Sequence, residues 1–278
     1  MKKFFFLFLF AAFFLTRLQA QELYVYTEPA SNMPAHSITA KITDHFVARD
    51  RMFRQSAHRI MPEIQFGFSK KWMVHLGTTF SNMHNYDMRY ESWNAYAKYR
   101  FLSKDDVHTH FRMAVFAEGS STRSPFHFDE INLMGDKSGV QLGLVATQLW
   151  NRLAVSGIFS HSQVIDPSRN DKVIYIPRRL YQSVNYSLSA GYLVLPREYT
   201  SYKQTNFNIY LEFLGERSLD ARKNYLDMAP SVQLIFNSNT RLNLGHRFQI
   251  AGNMNRMSAN SWQLSLERAF LGALKRSR

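Results

Sequence analysis

The sequence predicts an all-β fold, a transmembrane antiparallel up-and-down β-barrel of about 12 strands. Three observations predict it: an export signal begins the chain, apolar and polar residues then alternate in twelve segments, and short connections between segments alternate with long ones. The composition agrees, because 15% of the residues are aromatic and the sequence contains no Cys with which disulfides could stabilise an exported fold.

Residues 1–20 have the order of a secretory signal peptide. Lys2 and Lys3 form the basic start, residues 4–15 form the apolar centre, and Ala20 is the small residue before the expected cleavage point. The apolar centre is too short to span a bilayer, so we expect cleavage rather than a retained anchor. The rest of the sequence lacks an apolar run long enough for a transmembrane helix, which leaves the periplasm and the cell outer membrane as destinations.

Each predicted strand has one apolar and one polar face. In the eleventh, for example, Leu242 and Leu244 alternate with Arg241 and Asn243, the period of two that a strand requires. The segments, in chain order, are 37–47, 59–68, 72–81, 91–101, 107–117, 139–149, 152–160, 182–194, 205–213, 229–236, 241–250 and 261–270. An apolar face that recurs on every segment is typical of a wall that faces lipid.

The connections between these segments predict the orientation of the barrel. The even-numbered connections, at 69–71, 103–106, 150–151 and 237–239, are short, and only 195–203 is longer. The odd-numbered connections are 48–58, 82–90, 118–138, 161–181, 214–228 and 251–260. Because outer-membrane barrels have short periplasmic turns and longer outer loops, the even connections are expected in the periplasm, with both chain termini.

Two alternatives to this fold stay open. A soluble β-sandwich also alternates, but it needs protected edge strands, and no segment looks like a designed edge. The strand number is also open, since ten or fourteen strands remain compatible with boundaries that are uncertain by a few residues.

The remaining parts of the chain flank the barrel, which we place at residues 36–270. Residues 21–35 contain Pro29 and Pro34 and alternate weakly, so we assign them as a periplasmic N-terminal extension, with a short plug as the alternative. Residues 271–278 form a C-terminal tail.

Two resemblances to known proteins add to this interpretation. The segment Trp262–Phe270 resembles the C-terminal assembly signal of outer-membrane proteins, which implies recognition by the barrel-assembly machinery; the tail 271–278 and Arg268 on the apolar face depart from that pattern. Residues 21–35 look like the mature start of uncharacterised outer-membrane β-barrel proteins of Bacteroidota, a porin- or transporter-like family. That resemblance implies no established activity, and a link with metal handling is its only lead.

Charged residues on the polar faces predict a channel lumen. They are Lys41, Glu63, Lys98, Arg100, Arg112, Glu212, Arg241, Arg247 and Glu267. Basic residues outnumber acidic ones in this set, so we expect a modest preference for anions.

Histidines supply the candidates for a metal site. His108 and His110 are two apart on one predicted strand and share its luminal face, and His75 lies on a nearby strand. Imidazole suits copper and zinc, so we predict a transient metal site at these three side chains. No resident cofactor is expected.

The function that follows is a passive channel for small solutes or ions. The alternative is a closed structural or adhesion barrel that acts through its outer loops, and an outer-membrane hydrolase comes third. In the phospholipase pattern His and Ser share a strand face, whereas in Ser160-His161-Ser162 the His faces away from both serines, so we expect no enzyme. Despite the net charge of +13, we expect no nucleic acid partner; the expected partners are outer-membrane lipids, lipopolysaccharide and small solutes.

Overall fold

The computed structural model describes residues 24–48, 56–83, 87–107, 109–124, 128–165, 180–198, 201 and 203–275. The signal peptide and residues 276–278 of the tail lie outside the described residues. The strands are β1 Ser37–Val47, β2 Ala57–Gly67, β3 Trp72–Ser81, β4 Arg89–Asp105, β5 Thr109–Thr122, β6 Gly139–Trp150, β7 Leu153–Val164, β8 Gln182–Leu195, β9 Asn206–Ser218, β10 Asn224–Phe236, β11 Thr240–Gly252 and β12 Asn260–Phe270.

The twelve strands close into one antiparallel up-and-down barrel. Each strand pairs with its neighbours in sequence, and β1 pairs with β12 in a register that runs from Ile38 opposite Phe270 to Phe46 opposite Trp262. Closure pairs the backbone groups that open sheet edges would leave free. The predicted fold class and strand number are therefore confirmed.

The two faces of the wall have opposite chemistry. Apolar side chains cover the outside, where Leu142 is 62% exposed, Phe159 61% and Leu188 55%. Polar side chains such as Thr147 and Ser189 are fully buried on the inside. A barrel with a lipophilic exterior and a polar interior is the architecture of outer-membrane proteins, and a soluble sandwich would place these faces the other way. Within the described ranges no helix has the length and apolarity to cross a bilayer.

The short connections are made by residues that tolerate left-handed backbone. Asn151 has a φ of 50°, as does Asn237, and Ser238 follows with 57°, which lets two-residue and three-residue hairpins join their strands. The long connections, at the opposite end, include 123–138 and 165–181. One expected long connection is short. β9 and β10 extend so far that the connection between them covers only 219–223, which makes it shorter than the 196–205 connection at the opposite end of the barrel.

Candidate functional site

The described part of the N-terminal segment lies inside the barrel. We call residues 24–33 the plug segment. The backbone N–H groups of Val25 and Tyr26 each donate to Oε1 of Glu212 at 3.0 Å, and the Thr27 hydroxyl donates to Oε2 at 2.7 Å. Glu212 lies on β9 and is fully buried, so its charge is compensated by these donors rather than by water. This carboxylate is the first anchor of the plug segment.

A buried lysine is the second anchor. Nζ of Lys98 on β4 donates to the carbonyl oxygens of Pro29 at 2.6 Å and Ser31 at 2.9 Å, and it lies 3.4 Å from Oε2 of Glu28. Burial alone would raise the pKa of Glu28, but the combined effect of Lys98, His75 and Lys41 outweighs burial and holds that pKa below its usual value. A Glu28 carboxylate charged at neutral pH therefore helps to hold Lys98 against the plug segment.

Apolar packing completes the attachment of the plug segment. Tyr24 and Val25 pack with Leu149, Ala154 and Tyr210 of the wall, and the Tyr24 and Tyr210 rings meet edge to face with centroids 5.6 Å apart. Residues 24–33 thus lie in the lumen, as the short-plug alternative expects and the assignment as a periplasmic extension does not, while residues 21–23 lie outside the described residues. The physical reason is that wall side chains satisfy the polar groups of the segment, which the sequence pattern does not reveal.

A second segment enters the lumen from the long-connection end. Residues 128–138, which we call the inner loop, belong to the connection between β5 and β6. The N–H of Ile131 donates to Oε1 of Glu216 at 3.0 Å, and Arg59 binds Asp136 at 2.5 Å and Glu91 at 3.1 Å. Each of these charged side chains is buried, so the loop is fixed by paired charges in a setting where an unpaired charge would be costly.

A four-membered ion-pair network continues this contact. Arg256, from the connection between β11 and β12, binds Glu130 at 3.2 Å and Asp227 at 2.7 Å. Arg247 reaches the same two carboxylates at 3.4 Å and 2.5 Å. Burial would raise the pKa of Glu130, but Arg256 and Arg247 outweigh burial and lower it. Glu130 is therefore ionised at neutral pH and ties the inner loop to two strands and a further loop.

Gly135 is required where the inner loop passes closest to the wall. Its φ is +122°, and a Cβ built there would lie 2.9 Å from Cζ of Arg59. A side chain would be strained in this conformation and would press on the guanidinium that holds Asp136. The close approach thus depends on glycine.

The plug segment and the inner loop enclose a cavity of about 380 Å³ in the lumen. Of the predicted luminal residues, Lys41, Glu63, Arg241, Arg247 and Glu267 line it. The charged residues that line the cavity are Glu28, Glu63, Glu118, Glu130, Glu216 and Glu267, with Lys41, Arg59, Arg241 and Arg247. The cavity lining therefore contains six carboxylates and four basic groups. The expected anion preference was based on an excess of basic residues in the lumen, and the lining has the opposite excess.

The other predicted luminal residues have different positions. Lys98 and Glu212 hold the plug segment, and so does Arg112, whose Nη1 donates to the Ser31 hydroxyl at 2.8 Å. Arg100 lies on β4 opposite Ala114. Lys98, Glu212 and Arg112 are therefore engaged in structure rather than open to a passing solute.

Several luminal charges were missed, namely Arg59, Glu91, Glu118, Glu216 and Asp227. Glu118, Glu216 and Asp227 lie just beyond predicted segments and continue their alternation, as Glu118 continues the phase of His110 and Arg112 on β5. Extending those three segments at their long-connection ends would have found them, whereas Arg59 and Glu91 are the first residues of their predicted segments and were passed over there.

The two candidate metal ligands that the structure describes do not converge. His75 lines the cavity, whereas His110 lies 3.0 Å from Asp105 near the short-connection end. The strand register places His75 of β3 beside Tyr96 of β4, and Tyr96 beside Glu118 of β5. Glu118 lies eight residues from His110 along β5, which corresponds to roughly 26 Å at ~3.3 Å per residue. His108 lies outside the described residues, and among those described no group of three metal-binding side chains forms. The expected His75 and His110 pairing is wrong.

The Ser160-His161-Ser162 segment of β7 has the geometry expected from its spacing. His161 is exposed on the outer face, while both serines are buried inside. Their hydroxyls accept hydrogen bonds from Gln141 at 2.6 Å and Asn185 at 2.7 Å. This His cannot act as a base for either serine, as a Ser–His hydrolase mechanism would need.

The fold of this barrel is similar to that of solved outer-membrane proteins. No protein-family model matches the chain, and no curated protein matches it in sequence. An outer-membrane channel from Pseudomonas putida F1 is similar, with a TM-score of 0.56 and 12% identity over 89% of this chain and 100% of that one. The NanC porin has a TM-score of 0.50 and 9% identity over 83% of this chain and 98% of that one. At such identities the likeness concerns the fold, which is that of outer-membrane β-barrels.

Proposed function

We propose that this protein is an outer-membrane channel for small polar solutes, and that the structure represents its closed state. The observation that carries the proposal is the way in which the lumen is closed. Side chains of the wall leave a cavity of about 380 Å³, and two segments outside the strands, the plug segment and the inner loop, border it. A barrel with a purely structural role can be filled by its own wall side chains, and it needs no separate inserts.

The inserts are held in a way that permits release. Both are attached by side chains, through Glu212 and Lys98 for the plug segment and Arg59 and Glu216 for the inner loop. Neither insert pairs with the barrel as a strand, so either can leave without opening the sheet. The similar fold of a Pseudomonas putida protein described as an outer-membrane channel supports the same interpretation.

The alternative is a closed barrel that acts through its outer loops, and conductance measurements distinguish it from the channel. Metal handling, lipopolysaccharide binding and recognition by the barrel-assembly machinery stay predictions from the sequence. Because His75 and His110 lie far apart, they form no shared site that would support metal handling.

Planar-bilayer conductance of the refolded mature protein tests the proposal. A variant that lacks residues 24–33 should conduct continuously, whereas the full mature chain should stay closed with brief openings. Heat-modifiable migration on a gel confirms that each sample is a folded barrel. If the folded deletion variant conducts no more than the bare bilayer, even with residues 128–134 removed as well, the channel proposal fails and the closed-barrel alternative stands.

A further inference from the structure

The cavity has the size of a small-molecule site. Its volume of about 380 Å³ lies at the lower end of the range of roughly 300–1,000 Å³ for ligand cavities. Aromatic and thioether side chains, among them Tyr96, Phe116 and Met73, line it beside charged groups. A compact organic molecule with one charged group matches such a lining better than a bare ion.

Two carboxylates in this cavity lack a cationic partner. Glu63 accepts a hydrogen bond from Gln65 at 2.6 Å, and Glu118 accepts one from Asn94 at 3.3 Å. Gly77 stands between Glu63 and Asn94 in register, and the Asn94 amide lies over it. Glu63 and Glu118 both line the cavity, on β2 and β5 respectively, on either side of this gap. Within the part of the chain that the structure describes, neither has a lysine or arginine within 4.0 Å.

The nearby lysines are committed elsewhere. The ammonium group of Lys98 donates hydrogen bonds to carbonyl oxygens of the plug segment and forms an ion pair with Glu28. Lys41 stands opposite Glu63 in register, but its ammonium group lies 3.9 Å from Glu267, and among the described residues it forms no ion pair with Glu63 within 4.0 Å. Two carboxylates that line one cavity repel each other when both are ionised, and a cation bound between them would remove that repulsion.

A buried histidine points independently to a ligand at the same place. His75 is 97% buried and lines the cavity, yet its Nε2 atom has no hydrogen-bond partner. Its Nδ1 lies 3.5 Å from Oε1 of Glu63. A buried nitrogen without a partner costs free energy, which a ligand N–H donor would recover.

Aromatic rings form the adjoining wall. The Tyr96 ring lies 5.0 Å from that of His75 and stacks on Phe116 with centroids 5.4 Å apart. Ring faces attract cations and pack against flat apolar groups. In the described residues no three metal-binding side chains converge, which favours an organic cation over a metal ion.

We propose that the cavity binds a small organic cation, an ammonium or guanidinium group on a compact aromatic or apolar body. The charged group lies between Glu63 and Glu118 and donates to Nε2 of His75, and the body packs against Tyr96 and Phe116. This inference rests on the proposed function, because it names the class of solute that the channel admits.

Equilibrium binding to the refolded mature protein in detergent tests this inference with three probes of one shape. Benzylammonium carries the cation, benzyl alcohol is neutral and benzoate is an anion; dialysis to equilibrium allows for slow entry into a closed lumen. Benzylammonium should bind saturably, and the other two at least about tenfold more weakly, because charge-assisted hydrogen bonds are the strong ones. Glu63→Gln and Glu118→Gln should each weaken benzylammonium about tenfold or more. Glu198→Gln removes an exposed charge from the β8–β9 connection and should change nothing.

Each result decides between outcomes. Equal binding of the neutral probe, an unchanged affinity in both folded Gln variants, or no binding of any probe would overturn the cation site. Conductance separates this result from the proposed function. Benzylammonium binding without conductance would leave a cation-binding barrel that is not a channel, while conductance without binding would leave a channel of different selectivity.

Discussion

Glu212→Gln removes the charge that anchors the plug segment while keeping the shape of the side chain. Three donors of that segment, on Val25, Tyr26 and Thr27, converge on the carboxylate. A hydrogen bond to a charged group contributes about 1.5–3 kcal/mol, against about 0.5–1.5 kcal/mol for a neutral one. Gln retains one acceptor oxygen and turns its amide donors towards groups that also donate, so we expect the docked state to lose about 2–4 kcal/mol.

This loss predicts a large shift in the population of the undocked segment. At about 1.4 kcal/mol for each factor of ten, the undocked fraction rises roughly 30-fold to 1,000-fold. The sequence contains no Cys, so Val25→Cys places a single thiol at a site that is buried in the docked state. Its reaction rate with a charged maleimide reports the undocked fraction, and bilayer conductance should rise in parallel.

Glu216→Gln is the matched control for this experiment. Glu216 lies on the same strand and is equally buried, but it holds Ile131 of the inner loop instead of the plug segment. The control should leave the labelling of Val25→Cys unchanged. Unchanged labelling and conductance in the folded Glu212→Gln variant would refute the anchoring role of Glu212.

Three further predictions concern the loop, the wall and pH. Gly135→Ala should destabilise the barrel by about 1–3 kcal/mol in urea unfolding because of its positive φ, whereas Gly119→Ala, whose new Cβ would have its nearest neighbour at 3.9 Å, should not. Leu144→Arg on the lipid face should cost about 2–4 kcal/mol of folding free energy in vesicles, and insertion at no cost would argue against a lipid-facing wall. The lowered pKa of Glu130 stabilises the closed loop above the usual pKa of 4.5, so conductance should rise as pH falls below that value; opening on a rise in pH would contradict this.

The barrel could be predicted from sequence because its signal is local and repeated. Alternation within each segment reports which face meets lipid, and turn residues such as Asn151 and Asn237 mark the hairpins. The signal fades where inward residues are also apolar. β10 begins at Asn224 rather than 229, because the inward Tyr225 and Ala229 are as apolar as the outward Leu226 and Met228 and obscure the alternation.

The closure of the lumen could not be predicted in the same way. The plug segment and the inner loop have no period, and they are fixed by partners far away in sequence, as Val25 is by Glu212 and Ile131 by Glu216. The wall supplies those partners one strand at a time. Only the closed barrel brings them together, so a luminal charge read from one strand gives no indication of whether it faces a solute or an insert.

The plug segment is joined to β1 by residues 34–36 alone. Such a short tether keeps a released segment beside its own binding site, at an effective concentration of the order of millimolar. Release is then a local, reversible event, and the segment rebinds without diffusing through the periplasm. In the proposed channel, a mutation that weakens the anchors therefore changes mainly how often the pore opens, because the tether sets the rate at which the segment rebinds.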